Sequence, residues 1–272
     1  MHIQTRDQKE LNYYHYGKGQ PLIFIHGFGG YQQIWYLQVD FFVNRGYEVW
    51  TYDQRDHGAS SKDKELASVD TLIDDLADFI QGLKIKAPVL IGHSMGASVC
   101  YGFLQRYPEI PVKAVIGVDQ SPKMLNTPSW HFGYMDITRA NYRAALASHG
   151  NVRETLNGVD KRLLWKLNPV KEQFPFVRTE HLSLLYDHAK RDWRKSLLNA
   201  KVPVLLVTAN QSPYFNPRFA EVLANENPMI QTQRIDQTGH VVMGEQPTTF
   251  NQYLQAYLKS LSWNILKSKF IF

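Results

Sequence analysis

The sequence predicts a doubly wound α/β fold, a mostly parallel sheet with a helical lid inserted, on three observations. Short apolar runs alternate with longer amphipathic ones through the first 120 residues. Several of these runs are apolar on both faces, as a sheet covered by helices on each side requires. The alternation stops after residue 118 and resumes near residue 202, so the core is interrupted rather than finished.

Taken in order, residues 21–25 (PLIFI), 47–52 (YEVWTY), 88–91 (PVLI) and 112–118 (VKAVIGV) read as strands. Between the second and third, Leu72, Ile73, Leu76, Phe79, Ile80 and Leu83 recur at helical spacing. Asp70, Asp74, Asp75 and Asp78 fall on other faces of that helix and read as a wetted surface. Another helical run, 97–107, follows the third strand. Strand signals return at 202–207 and near 230–235, and a last helix opens at Pro247, with Phe250, Tyr253, Leu254, Tyr257, Leu258 and Leu261 on one stripe. The expected division is a core of residues 1–120 and 199–272 with a helical cap at 121–198. That insertion carries Trp130, Phe132, Tyr134, Trp165, Phe174, Phe176, Tyr186 and Trp193, and is expected to cover the carboxyl ends of the strands, where open α/β sheets bind ligands. About half of its aromatics are expected to pack the core under the lid instead.

With 272 residues, 44% hydrophobic and 20% charged, the chain has the composition of a globular protein, which excludes disordered, collagenous and coiled-coil classes. No run approaches the ~20 apolar residues of a membrane span, and the first ten residues, MHIQTRDQKE, are predominantly polar, so neither a span nor a signal peptide is expected. Cys100 is the single cysteine and is expected to pack inside; without a disulfide partner it favours a reducing, cytoplasmic address. The net charge of +5 suggests an acidic partner until its location is considered. Residues 121–200 hold 13 basic and 7 acidic residues, a net of +6, and the remainder of the chain is near neutral. Those basic residues are scattered, with no run longer than two, so a solvated surface is expected and no nucleic-acid groove. The apolar, basic tail at 263–272 has the makings of a membrane contact. At that length docking onto the body is expected, with no stable membrane insertion.

Chemistry concentrates in Gly92-His93-Ser94-Met95-Gly96, directly after the third strand and directly before a helix. A strand-to-helix turn this tight strains the nucleophile's backbone, lifts its hydroxyl above the sheet, and demands small residues two places before and after. A serine hydroxyl also needs a base held by a third group. Of ten histidines, His93 points away from its neighbour Ser94, and His26 precedes the first loop with a structural role expected. His131, His149, His181 and His188 lie in the insertion without metal-ligand spacing and read as surface or satisfied groups. His240 follows the last strand and can reach the same sheet edge, which makes it the candidate base. The acid is sought between residues 94 and 240. Asp119 ends a strand at that edge, whereas Asp136, Asp160, Asp187 and Asp192 lie in the insertion; Asp53 precedes Ser94 and reads as a loop former with Arg55 and Ser60.

These motifs are where a resemblance enters. Through His26-Gly27-Phe28-Gly29-Gly30, Asp53-Gln54-Arg55-Asp56-His57-Gly58-Ala59-Ser60, the Ser94 turn, and Gly239-His240 with Glu245-Gln246-Pro247, the chain resembles the α/β-hydrolase superfamily over essentially its whole length. The resemblance implies a serine-nucleophile branch of carboxylesterases and cofactor-free haloperoxidases, and an oxyanion hole from the backbone N–H groups of Phe28 and Met95. Most members carry the acid after the strand equivalent to 202–207; here that stretch, Thr208-Ala209-Asn210-Gln211-Ser212-Pro213, has no carboxylate. A smaller branch places it one strand earlier, which supports Asp119. Asp56 stands where the family usually has glycine. Ser94 replaces the aspartate of the haloalkane dehalogenase and epoxide hydrolase branches and so disfavours those activities.

The function expected is hydrolysis of small to medium carboxylic esters through an acyl-enzyme on Ser94, with His240 as base and Asp119 as acid. Trp130, Phe132, Tyr134 and Val241 are the candidate pocket residues. No metal or organic cofactor is implied, and the partner is a small-molecule ester. Acyl transfer to peroxide, and thioester or lactone hydrolysis, fit the same residues. From another class, a small-molecule sensor with slow turnover and a partner-binding insertion also fits. Oligomeric state is not legible.

Overall fold

A computed structural model describes residues 1–148 and 152–269, the side chains of 262–269 excepted. His149 and the side chains of the tail from 263 onward lie outside the described residues. Eight strands form one sheet: β1 His2–Gln4, β2 Glu10–Gly17, β3 Gln20–Ile25, β4 Tyr47–Tyr52, β5 Val89–His93, β6 Ala114–Val118, β7 Val204–Ala209 and β8 Ile230–Ile235. Their spatial order is β1-β2-β4-β3-β5-β6-β7-β8. The β1–β2 and β2–β4 pairs are antiparallel and the other five parallel. The antiparallel edge is absent from the sequence expectation, because Glu10–Gly17 passes from buried Leu11, Asn12 and Tyr13 to exposed Tyr14 and Tyr16 and lacks the apolar run that marks a central strand.

Helices α1 Tyr36–Val43, α2 Val69–Gly82 and α3 Met95–Arg106 connect the first strands, and α8 Arg218–Glu226, α9 Val242–Glu245 and α10 Pro247–Lys269 complete the core. Alternate residues of each central strand enter opposite layers. Ile23, Ile25, Leu90 and Val115 pack with Leu76, Phe79, Val99 and Phe103 of α2 and α3. Leu22, Phe24, Ile91 and Ile116 pack with Phe42, Phe250, Leu254 and Leu258 of α1 and α10. Each fully buried aliphatic or aromatic side chain of this kind contributes ~1.5 to 3 kcal/mol relative to exposure. Ser68 caps α2 by accepting from the Asp70 N–H at 3.1 Å, and Asp187 accepts from the Val69 N–H at 2.9 Å.

Between β6 and β7 lie α4 Tyr142–Ser148, α5 Lys161–Gln173, α6 Leu182–Lys190 and α7 Arg194–Leu198, with a 3-10 helix Arg178–His181 before α6. Among the described residues no strand interrupts them. The acidic face expected on α2 needs one correction. Asp75 is buried, and Arg55, itself buried, meets it at 2.6 Å and also bonds Asp7 and Asp63. Asp75 sits on the inward side of α2, between Leu72 and Leu76, so only an ion pair makes its burial tolerable. Among the described residues no helix is long and apolar enough to cross a membrane.

Candidate active site

The register of the parallel strands sets the site. Ile25 stands opposite Gly92, His93 opposite Val118, and Val118 opposite Val207, so the loops leaving β3, β5, β6 and β7 emerge along one edge. Ser94 joins β5 to α3 with φ 53° and ψ −126°, a left-handed conformation uncommon outside glycine. Its N–H donates to the Val118 carbonyl at 3.0 Å, and its carbonyl accepts from the Ala97 N–H at 2.8 Å, so the turn is tied to sheet and helix together. A Cβ on Gly92 would strike the carbonyl of Gly96, and one on Gly96 the carbonyl of Ile25. The small residues flanking Ser94 are thus a steric requirement.

Asp119 directly follows β6, fully buried and also left-handed at φ 46°. Its Oδ2 lies 2.7 Å from His240 Nδ1 and accepts the Ser212 hydroxyl at 2.7 Å, while Oδ1 accepts the Ala209 N–H at 3.0 Å. The loop after β7, where a carboxylate is missing, therefore supplies two donors to a carboxylate one strand away. With Nδ1 donating to that acid, His240 keeps Nε2 as its acceptor. The His240 N–H donates to the carbonyl of Glu154 at 2.7 Å, and its carbonyl accepts from His93 Nε2 at 2.9 Å. Burial holds His93 well below the usual imidazole range, so it acts as a neutral strut. The ring of Tyr214 meets that of His240 edge-on at 4.7 Å.

The loop after β3 approaches Ser94 from the other side: a Cβ on Gly27 would lie 2.9 Å from that of Ser94. Among the described residues, neither the Phe28 N–H nor the Met95 N–H has an acceptor. Two buried histidines shape this loop. His26 Nδ1 donates to the Gly27 carbonyl at 2.8 Å while its Nε2 accepts from Gln54 N–H at 3.0 Å. His57 accepts the Gly29 N–H at 3.0 Å and donates to the Arg55 carbonyl at 2.9 Å, a role the sequence motif did not disclose. Burial lowers both imidazoles, keeping them neutral. Asp53 accepts from Gln32 and Ala59 N–H groups, as a loop former should.

Ser94, His240, Phe28, Tyr134 and Val241 line one cavity of about 590 Å³. Trp130 and Phe132 do not. Trp130 is turned inward, donating from Nε1 to the Lys123 carbonyl at 3.0 Å, with Phe132 against it at 5.3 Å. Of the insertion histidines, His131 is exposed and His181 satisfied, as expected, whereas His188 departs from expectation. His188 is buried in the cavity wall with Nε2 2.9 Å from Ser98 Oγ, and its Nδ1 has no partner among the described residues. His181 pairs with Asp56 at 2.7 Å. Asp56 has φ 67°, which explains a family preference for glycine there, and this chain uses the extra carboxylate to tie the insertion to the core.

A family model described as the alpha/beta hydrolase fold matches residues 20–247. The chain belongs to this family. This α/β hydrolase is 29% identical to Protein ABHD8 of Bos taurus over 253 residues, covering 87% of this chain and 55% of that protein. The chain thus spans about half the length of such curated relatives. It is 26% identical to a non-heme chloroperoxidase of Streptomyces lividans, covering 95% of this chain and 99% of that one. Among solved structures, an esterase from Exiguobacterium antarcticum superposes with a TM-score of 0.81 at 19% identity, covering 95% of this α/β hydrolase and 99% of the esterase, a likeness of fold.

Proposed function

We propose that the protein is a serine hydrolase that cleaves carboxylic esters of small to medium size through an acyl-enzyme on Ser94. The observation that carries this reading is the 2.7 Å contact between His240 Nδ1 and the buried Asp119, in a cavity that the strained Ser94 also lines. In the reaction, Ser94 Oγ attacks the ester carbonyl as His240 Nε2 takes its proton. The Phe28 and Met95 N–H groups stabilise the oxyanion, each donor contributing ~2.7 to 4 kcal/mol in comparable sites. Collapse breaks the ester C–O bond and His240 returns the proton to the leaving alcohol. Water, deprotonated by His240, then releases the acid and restores Ser94. Residues 121–198 act as a lid: they supply Tyr134, Leu146, Leu167 and Leu185 to the cavity wall, an apolar surface for the acyl or alcohol group.

Similarity to a chloroperoxidase over nearly its whole length supports a second reading, in which peroxide replaces water as acyl acceptor at the same serine. Both are tested with p-nitrophenyl acetate, butyrate, octanoate and palmitate, using Ser94→Ala as the blank. Turnover that vanishes in the blank, with an optimum at short chains, is the expected result. Peracid formed from acetate and hydrogen peroxide faster than the ester is hydrolysed would favour the second acceptor. No turnover above the blank would overturn the hydrolase reading and favour a ligand sensor.

A further inference from the structure

Arg178 is a charged group that the cavity leaves unanswered. It opens the 3-10 helix Arg178–His181 of the insertion and is half-buried in the cavity wall. Its Nε and Nη2 donate to the Leu146 carbonyl at 3.3 and 3.0 Å, and its guanidinium carbon lies 5.5 Å from the centre of the Phe28 ring. A guanidinium offers five N–H donors in a planar fork that matches a carboxylate. One carbonyl satisfies part of that capacity. The other arginines drawn into the protein, Arg55, Arg191 and Arg194, each pair with an aspartate. Among the described residues no carboxylate reaches ion-pair distance of Arg178. Glu154, the acid that lines the same cavity, instead accepts the Tyr214 hydroxyl at 2.8 Å. Burial lowers the Arg178 pKa, so the guanidinium is poorly hydrated and gains by meeting an anion. Lys161 and Lys171 at the exposed rim add to the positive charge, with Glu154 the opposing acid.

Resting on the reading of Ser94 as nucleophile, we propose that Arg178 is a specificity residue that binds a free carboxylate on the substrate, making the preferred substrate a short half-ester of a dicarboxylic acid. Gly27 abuts Ser94, Phe28 follows it, and Arg178 stands over the Phe28 ring, so the guanidinium lies beside the loop that approaches the nucleophile, and we assign the anion to a short acyl chain.

The test compares kcat/KM, by pH-stat titration, for monoethyl glutarate against ethyl pentanoate and monoethyl adipate against ethyl hexanoate. In each pair a carboxylate replaces a methyl group. Butyryloxyacetate against ethyl butanoate carries the carboxylate on the alcohol side. A hydrogen-bonded charge is expected to favour the half-esters by ~10- to 100-fold, mainly through KM. Arg178→Gln should erase the preference, and Arg178→Lys should keep part of it. A purely structural role would lower both members of a pair together, and an equal rate on both by the native enzyme overturns the proposal whatever the variants do. A preference confined to butyryloxyacetate overturns the acyl-side assignment. Calorimetry with Ser94→Ala and two inert amides, N-ethylglutaramate and N-ethylpentanamide, separates this proposal from the hydrolase reading. Should no ester turn over, tighter binding of the glutaramate that is lost on adding Arg178→Gln still supports the carboxylate site, and equal binding of the two amides overturns it.

Discussion

Four histidines line the cavity that Ser94 enters, and two of them, His240 and His188, invite comparison as partners for Ser94 and Ser98, because among the described residues only His240 has an acid behind its ring. His188 lies 2.9 Å from Ser98, one helical turn beyond Ser94. Ser98 is regular helix and buried, whereas Ser94 is held left-handed at the head of the helix and half-buried. Behind His240 stands Asp119; behind His188 Nδ1 stands no partner among the described residues. Burial, only partly offset by the charge of Asp187, pushes His188 down to about 4, so it stays neutral at ordinary pH and is a weaker base for a serine proton. Proximity of a serine and a histidine is therefore insufficient. The orienting acid and the strained turn distinguish the two pairs.

The largest expected effect separates the two serines. Ser94→Ala should lower kcat by ~10⁶, as loss of the nucleophile does in other triads, while Ser98→Ala leaves kcat within about threefold, because the hydrogen bond it breaks, to His188, lies outside the proposed triad. Equal losses in the two variants, measured on one p-nitrophenyl ester, would erase the distinction. Next comes the acid. Asp119→Asn should lower kcat by ~10⁴ through loss of the correct histidine tautomer. Asp192→Asn, whose carboxylate pairs with Arg194 in the insertion, should change kcat little. A near-normal rate in Asp119→Asn would move the acid elsewhere.

How far this site was legible depends on what kind of signal each residue leaves. Ser94 is written locally, in a glycine-flanked turn between an apolar strand and a helix, and Asp119 and His240 are written by their place at strand ends. The parallel strands β3 to β7 are legible because burial on both faces produces runs of apolar residues, whereas β8, Ile230–Ile235, is apolar and buried only at its two ends. Strands β1 and β2 are not, since an antiparallel edge with one wet face looks like a polar loop with aromatics. Burial of polar groups leaves the weakest signal. Asp75 and His188 have the same neighbours in sequence that a surface residue would have, and only the packing of α2 and α6 shows that they face inward. Trp130 and Phe132 show the converse, since an aromatic in an insertion has more ways to face the core than the cavity.

The buried state of His188, whose Nδ1 has no partner among the described residues, has a pH signature that sharpens the comparison. In the unfolded chain this imidazole titrates near ~6.5, in the folded chain at about 4. Below the upper value the unfolded state takes up a proton that the folded state refuses, so stability falls as pH drops from the unfolded value toward the folded one, and levels off where the native ring itself titrates. His188→Gln removes this contribution. Its stability deficit relative to the native protein should therefore shrink by about 2 kcal/mol between pH 7.5 and 5. His26, His57 and His93 are also lowered by burial but are common to both proteins and cancel in the difference. Urea melts at the two pH values decide it, and a deficit that does not change with pH would mean that His188 is solvated.

The smallest effect concerns the loop after β7, which has lost the family's usual acid and retains donors. Ser212 gives its hydroxyl to Asp119 Oδ2, the same oxygen that His240 approaches, and Ala209 gives a backbone N–H to Oδ1. If Asp119 orients His240, these donors fix the carboxylate's own rotamer. Ser212→Ala should then lower kcat by ~10-fold, the value of one hydrogen bond to a charged group, with KM little changed because the hydroxyl touches no substrate. Native kcat in Ser212→Ala would mean that the hydroxyl does not fix the acid. Ser212→Asp probes the alternative acid position directly: a carboxylate placed there competes with Asp119 for His240, and rescue of Asp119→Asn by this second substitution would show that the strand-end acid can be supplied from either loop.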